Sequence, residues 1–273
     1  MLLDVRNLRI ARTDGISLVR GIDFSIRRGE WFSLIGESGS GKSISAFAVG
    51  GLLPKNLLRR ADALTFDGMD LNALPEERYR EIRGCEMSYV FQDYQGAFTP
   101  YYRIGAQMDE VMRTHRGWPE AERRAKARDA LEAVGLDAEE TRARYPFQVS
   151  GGQLQRAALA LAMLLEPSLL IADEPTTALD AVNAALVLDL IAKLQRERAC
   201  AVLFITHDLR TVRKYADRVA IMQEGCIVEC GRKDDVLRNP QKDYTRNLLA
   251  AIPPLRDVPV RLPVGAVEAV EAA

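Results

Sequence analysis

Apolar and polar residues alternate with a period of two through "LLDVRNLRI" and "ISLVRGIDFSI", which predicts strands buried on one face. "RRGE" (27–30) supplies a turn between strands, and "WFSLI" (31–35) is a short apolar run that ends at a glycine-rich loop. The "SISAFAVGGLL" that follows has helical character. Further on, "ADALTFDGMDL" predicts a strand with an Asp-Gly turn, and "MSYVF" (87–91) a buried strand.

Between residues 93 and 150 the period changes. "RIGAQMDEVMRTH" and "PEAERRAKARDALEAVGL" carry helical spacing with charged faces, separated by Gly117 and Pro119. This predicts a helical lobe inserted between two halves of a mixed α/β core. A helix then runs from 151 to about 165, and "SLLIADE" and "AVLFITHD" are apolar strands ending in charged residues. A helix over roughly 181–198 joins them, the βαβ pattern of a parallel sheet. "VAIMQEGCIVECG" reads as a hairpin through Glu224-Gly225, with short helices near 233–238 and 242–251. Residues 253–273, rich in Pro and Val, read as an extended or disordered tail, and no internal repeat is visible.

Composition changes this picture little. A chain of 273 residues, 48% hydrophobic and 27% charged, has room for one large domain or a domain carrying an inserted lobe. A net charge of −1 exerts no overall pull on nucleic acid, so no nucleic-acid partner is expected. Only Cys226 and Cys230 of the four cysteines are close, as C-x3-C with no accompanying histidine. They read as strand thiols, and Cys85 and Cys200 as buried ones, in a reducing compartment. The first residues mix charges into apolar ones, unlike a signal peptide, and "AALALAMLL" (157–165) is too short to cross a bilayer. A soluble, cytoplasmic chain is expected; any membrane span must come from another subunit.

Candidate chemistry begins at "GESGSGKS" (36–43), which fits G-x-x-x-x-G-K-[ST] at every fixed position between a strand and a helix. Backbone N–H groups of Gly36, Glu37, Ser38, Gly39, Ser40 and Gly41 can converge on phosphate oxygens. Lys42 brings a cation to the terminal phosphates, and the Ser43 hydroxyl can ligate Mg²⁺. "LLIADE" sets Asp173 and Glu174 at the end of an apolar strand, where the first can hold magnesium and the second polarise an attacking water. Gln92 ends "MSYVFQ" at a strand tip, able to reach the metal or the water, and His207 ends "AVLFITHD" in the same way, within reach of a γ-phosphate. Alone, either residue reads as surface or structural; their place in the series raises them. His115, on a charged helix, reads as solvated. "FQVSGGQLQR" (147–156) then looks like a second, surplus phosphate cradle.

Together, "GESGSGKS", Gln92, "VSGGQ", "LLIADEPTTALD" and His207, in this order, resemble the ABC ATPase family over residues 1 to about 252. The resemblance implies an α/β fold: a P-loop NTPase (RecA-like) core with an antiparallel β-subdomain and an α-helical subdomain inserted over about 93–165. It implies ATP and Mg²⁺ as cofactors and a head-to-tail pair of ATPases with two ATP molecules between them. Ser150, Gly151, Gly152 and Gln153 would then contact the γ-phosphate held by the partner's P-loop, with Asp180 of "TALD" at the same interface. By the same resemblance Glu174 is the catalytic carboxylate and His207 the switch histidine. Gln92 links the site to a membrane subunit, and Asp173, Ser43 and Gln92 surround the metal.

"YPFQVSGGQLQR", "IADEPTTALD" and "NPQKDYTRNLLAAIP" resemble the importers of dipeptides, oligopeptides and nickel. No cysteine follows Cys230, which leans towards the nickel and opine-metallophore branch. The implied partners are two permeases, a second ATPase and, indirectly, an extracytoplasmic binding protein, with the chain on the cytoplasmic side of the membrane. An exporter ATPase and a soluble non-transport ABC ATPase are the alternatives. Three departures stand out: Val149 opens the signature where Leu is usual, Gln153 stands where many close relatives carry Met, and "IARTDG" offers no base-stacking aromatic near residues 11–13.

Overall fold

The computed structural model describes residues 1–177 and 179–251; the expected tail at 253–273 lies outside them. The alternating N-terminal segments form β1 (Leu3–Arg12) and β2 (Ser17–Ile26), followed by β3 (Trp31–Gly36), α1 (Lys42–Val49), β4 (Leu57–Arg60), β5 (Ala63–Phe66) and β6 (Met69–Asp70). After α2 (Glu76–Ile82) and β7 (Met87–Val90) come α3 (Ile104–His115), α4 (Glu120–Ala133), α5 (Ala138–Ala143) and α6 (Gly151–Met163). The chain continues through β8 (Leu169–Asp173), α7 (Ala181–Arg198), β9 (Ala201–Thr206), α8 (Leu209–Tyr215), β10 (Arg218–Gln223) and β11 (Cys226–Arg232). It finishes its described part with α9 (Lys233–Arg238) and α10 (Asp243–Ala250).

Two sheets result. The central one has the order β11-β10-β3-β9-β8-β7 and is parallel except for β11, which returns antiparallel along β10. The other is antiparallel: β1 pairs with β2 on one edge and, on the other, with β5 through Leu3–Arg6 and β4 through Arg9–Arg12.

A parallel sheet covered on both faces needs apolar residues at every position. β3, β8 and β9 are accordingly buried throughout. Their pleat divides them between two cores: Trp31, Leu170, Ala172, Val202 and Phe204 face α6 and α7, while Phe32, Leu34, Ile171, Leu203 and Ile205 face the antiparallel sheet and α1. Trp31 anchors the first core with its ring 5.2 Å from Phe204 and 5.4 Å from Tyr215. Between β7 and β8 the chain holds only helices, and α6 and the segment after β7 tie them back to the sheet.

The period-based reading omits β4, α2, α5 and α8. Each helix among them has six or seven residues, too few for a 3.6 period to register. α5 and α8 start from side-chain caps instead: Asp137 accepts from Glu140 N–H (2.7 Å) and Asp208 from Arg210 N–H (2.9 Å).

Candidate nucleotide site

The loop between β3 and α1 passes so close to β10 that a Cβ on Gly36 would lie 2.1 Å from the Met222 carbonyl oxygen. No side chain fits there, so the strand can swing into the loop only through glycine. The hairpin tip after β10 braces the far side: Gly225 N–H donates to the Ser40 carbonyl (3.0 Å), and Arg20 N–H donates to the Gly225 carbonyl (2.8 Å). From α10, the Tyr244 hydroxyl accepts from Glu37 N–H at 3.4 Å.

Inside the loop the Lys42 ammonium donates to the carbonyls of Gly36 (2.8 Å) and Glu37 (2.7 Å). Burial lowers the Lys42 pKa, against the pull of Glu174, Asp173 and Glu37. A cavity of about 370 Å³ opens over the loop. It is lined by Ser38, Gly39, Gly41, Lys42 and Ser43, with Gln92 and Glu174 across it and Leu18 at its lip. Gln92 is exposed and stands two residues past the end of β7.

Ser43 donates its hydroxyl to Asp173 Oδ1 at 2.9 Å. A hydroxyl and a carboxylate side by side supply two hard oxygen donors of the kind Mg²⁺ takes. Burial raises the Asp173 pKa, opposed by the Ser43 hydrogen bond. Among the described residues no group of three His, Cys, Asp or Glu side chains gathers to hold a metal. Such a pair suits a magnesium ion that takes most of its ligands from water and phosphate.

Glu174 follows β8 directly and adopts φ +44°, a left-handed backbone that is rare outside glycine. Its carboxylate is held at both oxygens: His207 Nδ1 lies 3.0 Å from Oε1, and Thr177 donates its hydroxyl to Oε2 at 2.9 Å. Burial pushes its pKa up, but the hydrogen bonds from His207 and Thr177 and the charge of Lys42 outweigh it, leaving the pKa below the usual value. Because an ionised carboxylate can only accept, Nδ1 of His207 carries the proton and Nε2 is left outward, with the side chain 64% exposed.

Ser150, Gly151, Gly152 and Gln153 stand apart from the P-loop cavity. They start α6 with a capping box: Ser150 Oγ accepts from Gln153 N–H (3.3 Å), and Gln153 Oε1 accepts from Ser150 N–H (2.9 Å). A Cβ on Gly152 would touch Asn183 Oδ1 at 3.0 Å, and Asn183 donates in turn to Asp180 Oδ2 at 2.6 Å. The signature segment and Asp180 therefore form one cluster, none of it lining the phosphate-loop cavity of the same chain.

Sequence reading passed over Thr177, Asn183, Gly225 and Tyr244. Thr177 lies in the quoted "PTTALD" and Tyr244 in "DYTRNLL", but their partners are remote in the chain or set by loop geometry. His115 differs from its expected solvated position. It is half-buried at the end of α3 beside Gly84, and burial, with Arg116 second, lowers its pKa. It lines an apolar groove of about 360 Å³ with Tyr89, Phe91, Tyr94, Val111 and Leu161.

Fold and loop define a P-loop nucleotide-binding protein of the doubly covered α/β type. The family model described as ABC transporter matches residues 19–177, and the chain belongs to that family as an ATP-binding, ATP-hydrolysing cassette. It is 39% identical over 258 residues to the dipeptide transport ATP-binding protein DppD of Bacillus subtilis (strain 168), covering 93% of this chain and 77% of that one. The oligopeptide transport ATP-binding protein OppD of the same organism is 40% identical over 260 residues, with 93% and 72% covered. Among solved structures, the dimeric post-hydrolysis state of the ATP-binding cassette MJ0796 bound to ADP and Pi is similar at a TM-score of 0.74. It is 27% identical, with 85% of this chain and 98% of that one covered. No helix among the described residues is long and apolar enough to cross a membrane.

Proposed function

We propose that the chain energises an importer of peptides or similar small solutes, acting as one of two paired cassettes beneath separate membrane permeases. The observation that carries the pairing is the separation of Ser150–Gln153 from the P-loop cavity of the same chain. A surface of N–H donors and a serine hydroxyl at a helix start suits a phosphate, and the nucleotide it serves is the one on a partner's P-loop.

In this reading Lys42 and the loop N–H groups hold the β- and γ-phosphates. Ser43 and Asp173, with Gln92 beside them, are the residues that would hold Mg²⁺, which when bound neutralises phosphate charge. Glu174 orients water for attack on the γ-phosphorus. As the new P–O bond forms, the bond to the bridging oxygen breaks, ADP keeps that electron pair, and the water's proton passes towards the carboxylate. A depressed pKa keeps Glu174 ionised and ready to accept at neutral pH. His207 fixes one carboxylate oxygen through Nδ1–H, and its other nitrogen donates to the γ-phosphate when the ring carries a second proton. Leu18 in β2 and Ile16 just before that strand, 52% exposed, give the adenine an aliphatic resting surface where no aromatic is present.

The names of the relatives put peptides first as cargo. A nickel–metallophore complex is the second candidate cargo. The apolar groove beside Gln92 suits a short helical segment of a permease, so ATP-driven movement at Gln92 is felt there. The test is uptake of radiolabelled dipeptide and of ⁶³Ni by cells lacking this gene. Loss of dipeptide uptake supports the reading; loss of nickel uptake alone moves it to the metallophore branch, and loss of neither refutes import of both.

A further inference from the structure

A cavity of about 510 Å³ lies between α3, α4 and α5, and none of its residues belongs to the nucleotide site. Its wall carries five arginines: Arg103, Arg113, Arg123, Arg124 and Arg142. Only two carboxylates, Asp109 and Glu120, share that wall. Asp109 is already engaged, accepting from Arg123 Nε at 2.6 Å with Arg113 at 3.6 Å. Arg124 and Arg142 both lean on one glutamate outside the wall, Glu139, at 3.1 and 3.4 Å. Arg103 lies over the Tyr145 ring at 5.8 Å and makes no ion pair among the described residues. The Arg142 side chain is mostly buried. Guanidinium groups around a concave surface match a phosphate edge to edge.

We propose that this cavity binds a compact phosphate-type anion, with Arg142 and Arg103 as its principal donors. The volume suits a small ligand larger than a single phosphate, within the range of about 300–1,000 Å³ usual for small-molecule sites. Such chemistry comes from a soluble phosphorylated anion or from the headgroup of an anionic lipid.

The experiment uses the full chain saturated with ADP, so that the P-loop is filled, in low-salt buffer without divalent cations. Inorganic pyrophosphate is titrated calorimetrically, and in parallel the chain is sedimented with vesicles of phosphatidylglycerol or of phosphatidylcholine. The expected result is one saturable site, weakened about tenfold in Arg142→Gln and in Arg103→Gln, the cost of one charge-assisted hydrogen bond. Their ATPase activity should match the wild type. Saturable binding of pyrophosphate identifies a soluble anion. Retention on phosphatidylglycerol alone, lost in both variants, identifies a lipid headgroup. Binding of neither probe, or variants that bind as the wild type does, overturns the proposal. Arg103 is exposed, so its variant decides the matter should Arg142→Gln not fold.

Discussion

Glu174 combines two features that rarely meet by chance: a left-handed backbone on a non-glycine residue, and a carboxylate bonded at both oxygens. Strain of this kind costs on the order of 1–3 kcal/mol and persists where surrounding contacts hold it, here the bond from its N–H to the Ile205 carbonyl at 2.9 Å. In the proposed mechanism, Glu174→Gln keeps the shape and removes the proton acceptor. ATP affinity should stay within about twofold while phosphate release slows by about a hundredfold or more. Lys42→Ala should act the other way, weakening ATP binding by about tenfold or more in a fluorescence titration. These residues were legible in the sequence because each sits in a short motif whose chemistry is local. Tyr244 and Gly225 were not, since their contacts with Glu37 and Ser40 join segments far apart in the chain.

Elements divide by length in the same way. α7, with 18 residues, and the fully apolar β3, β8 and β9 announce themselves by period or run length. α5 and α8 start from side-chain caps and α2 buries Tyr79 and Ile82, none of which a periodicity reading registers. Asp137→Ala, removing the cap of α5, should cost about 1 kcal/mol and lower Tm by about 2–4 °C in calorimetry. The end of α3 makes a prediction about pH. His115 is more easily deprotonated in the fold than its ordinary value of 6.5, because burial and Arg116 disfavour its charge; Arg83 lines the same groove. The unfolded chain therefore binds the extra proton as pH falls through 6.5, and stability drops from there towards the lower folded value. His115→Gln should flatten the fall in urea midpoint between about pH 7 and 5.

At the scale of the whole molecule, the Ser150–Asn183–Asp180 cluster takes no part in lining the phosphate-loop cavity of its own chain. In the proposed function, the second phosphate cradle, which looked redundant in sequence, serves a two-chain site. Exposed Val182 and Leu186, on the helix that Asp180 caps, add apolar surface to the same side. Nucleotide binding and hydrolysis should then depend on different chains, and one variant separates them. In Ser150→Arg, placed in every active signature, ATP affinity is measured on the isolated chain and phosphate release on the assembled pair. We expect affinity within about twofold of wild type and hydrolysis slowed by about a hundredfold or more, the loss seen when a preorganised donor set is removed. Normal hydrolysis by the assembled pair, or ATP binding lost in the isolated chain, would contradict a site shared between two chains.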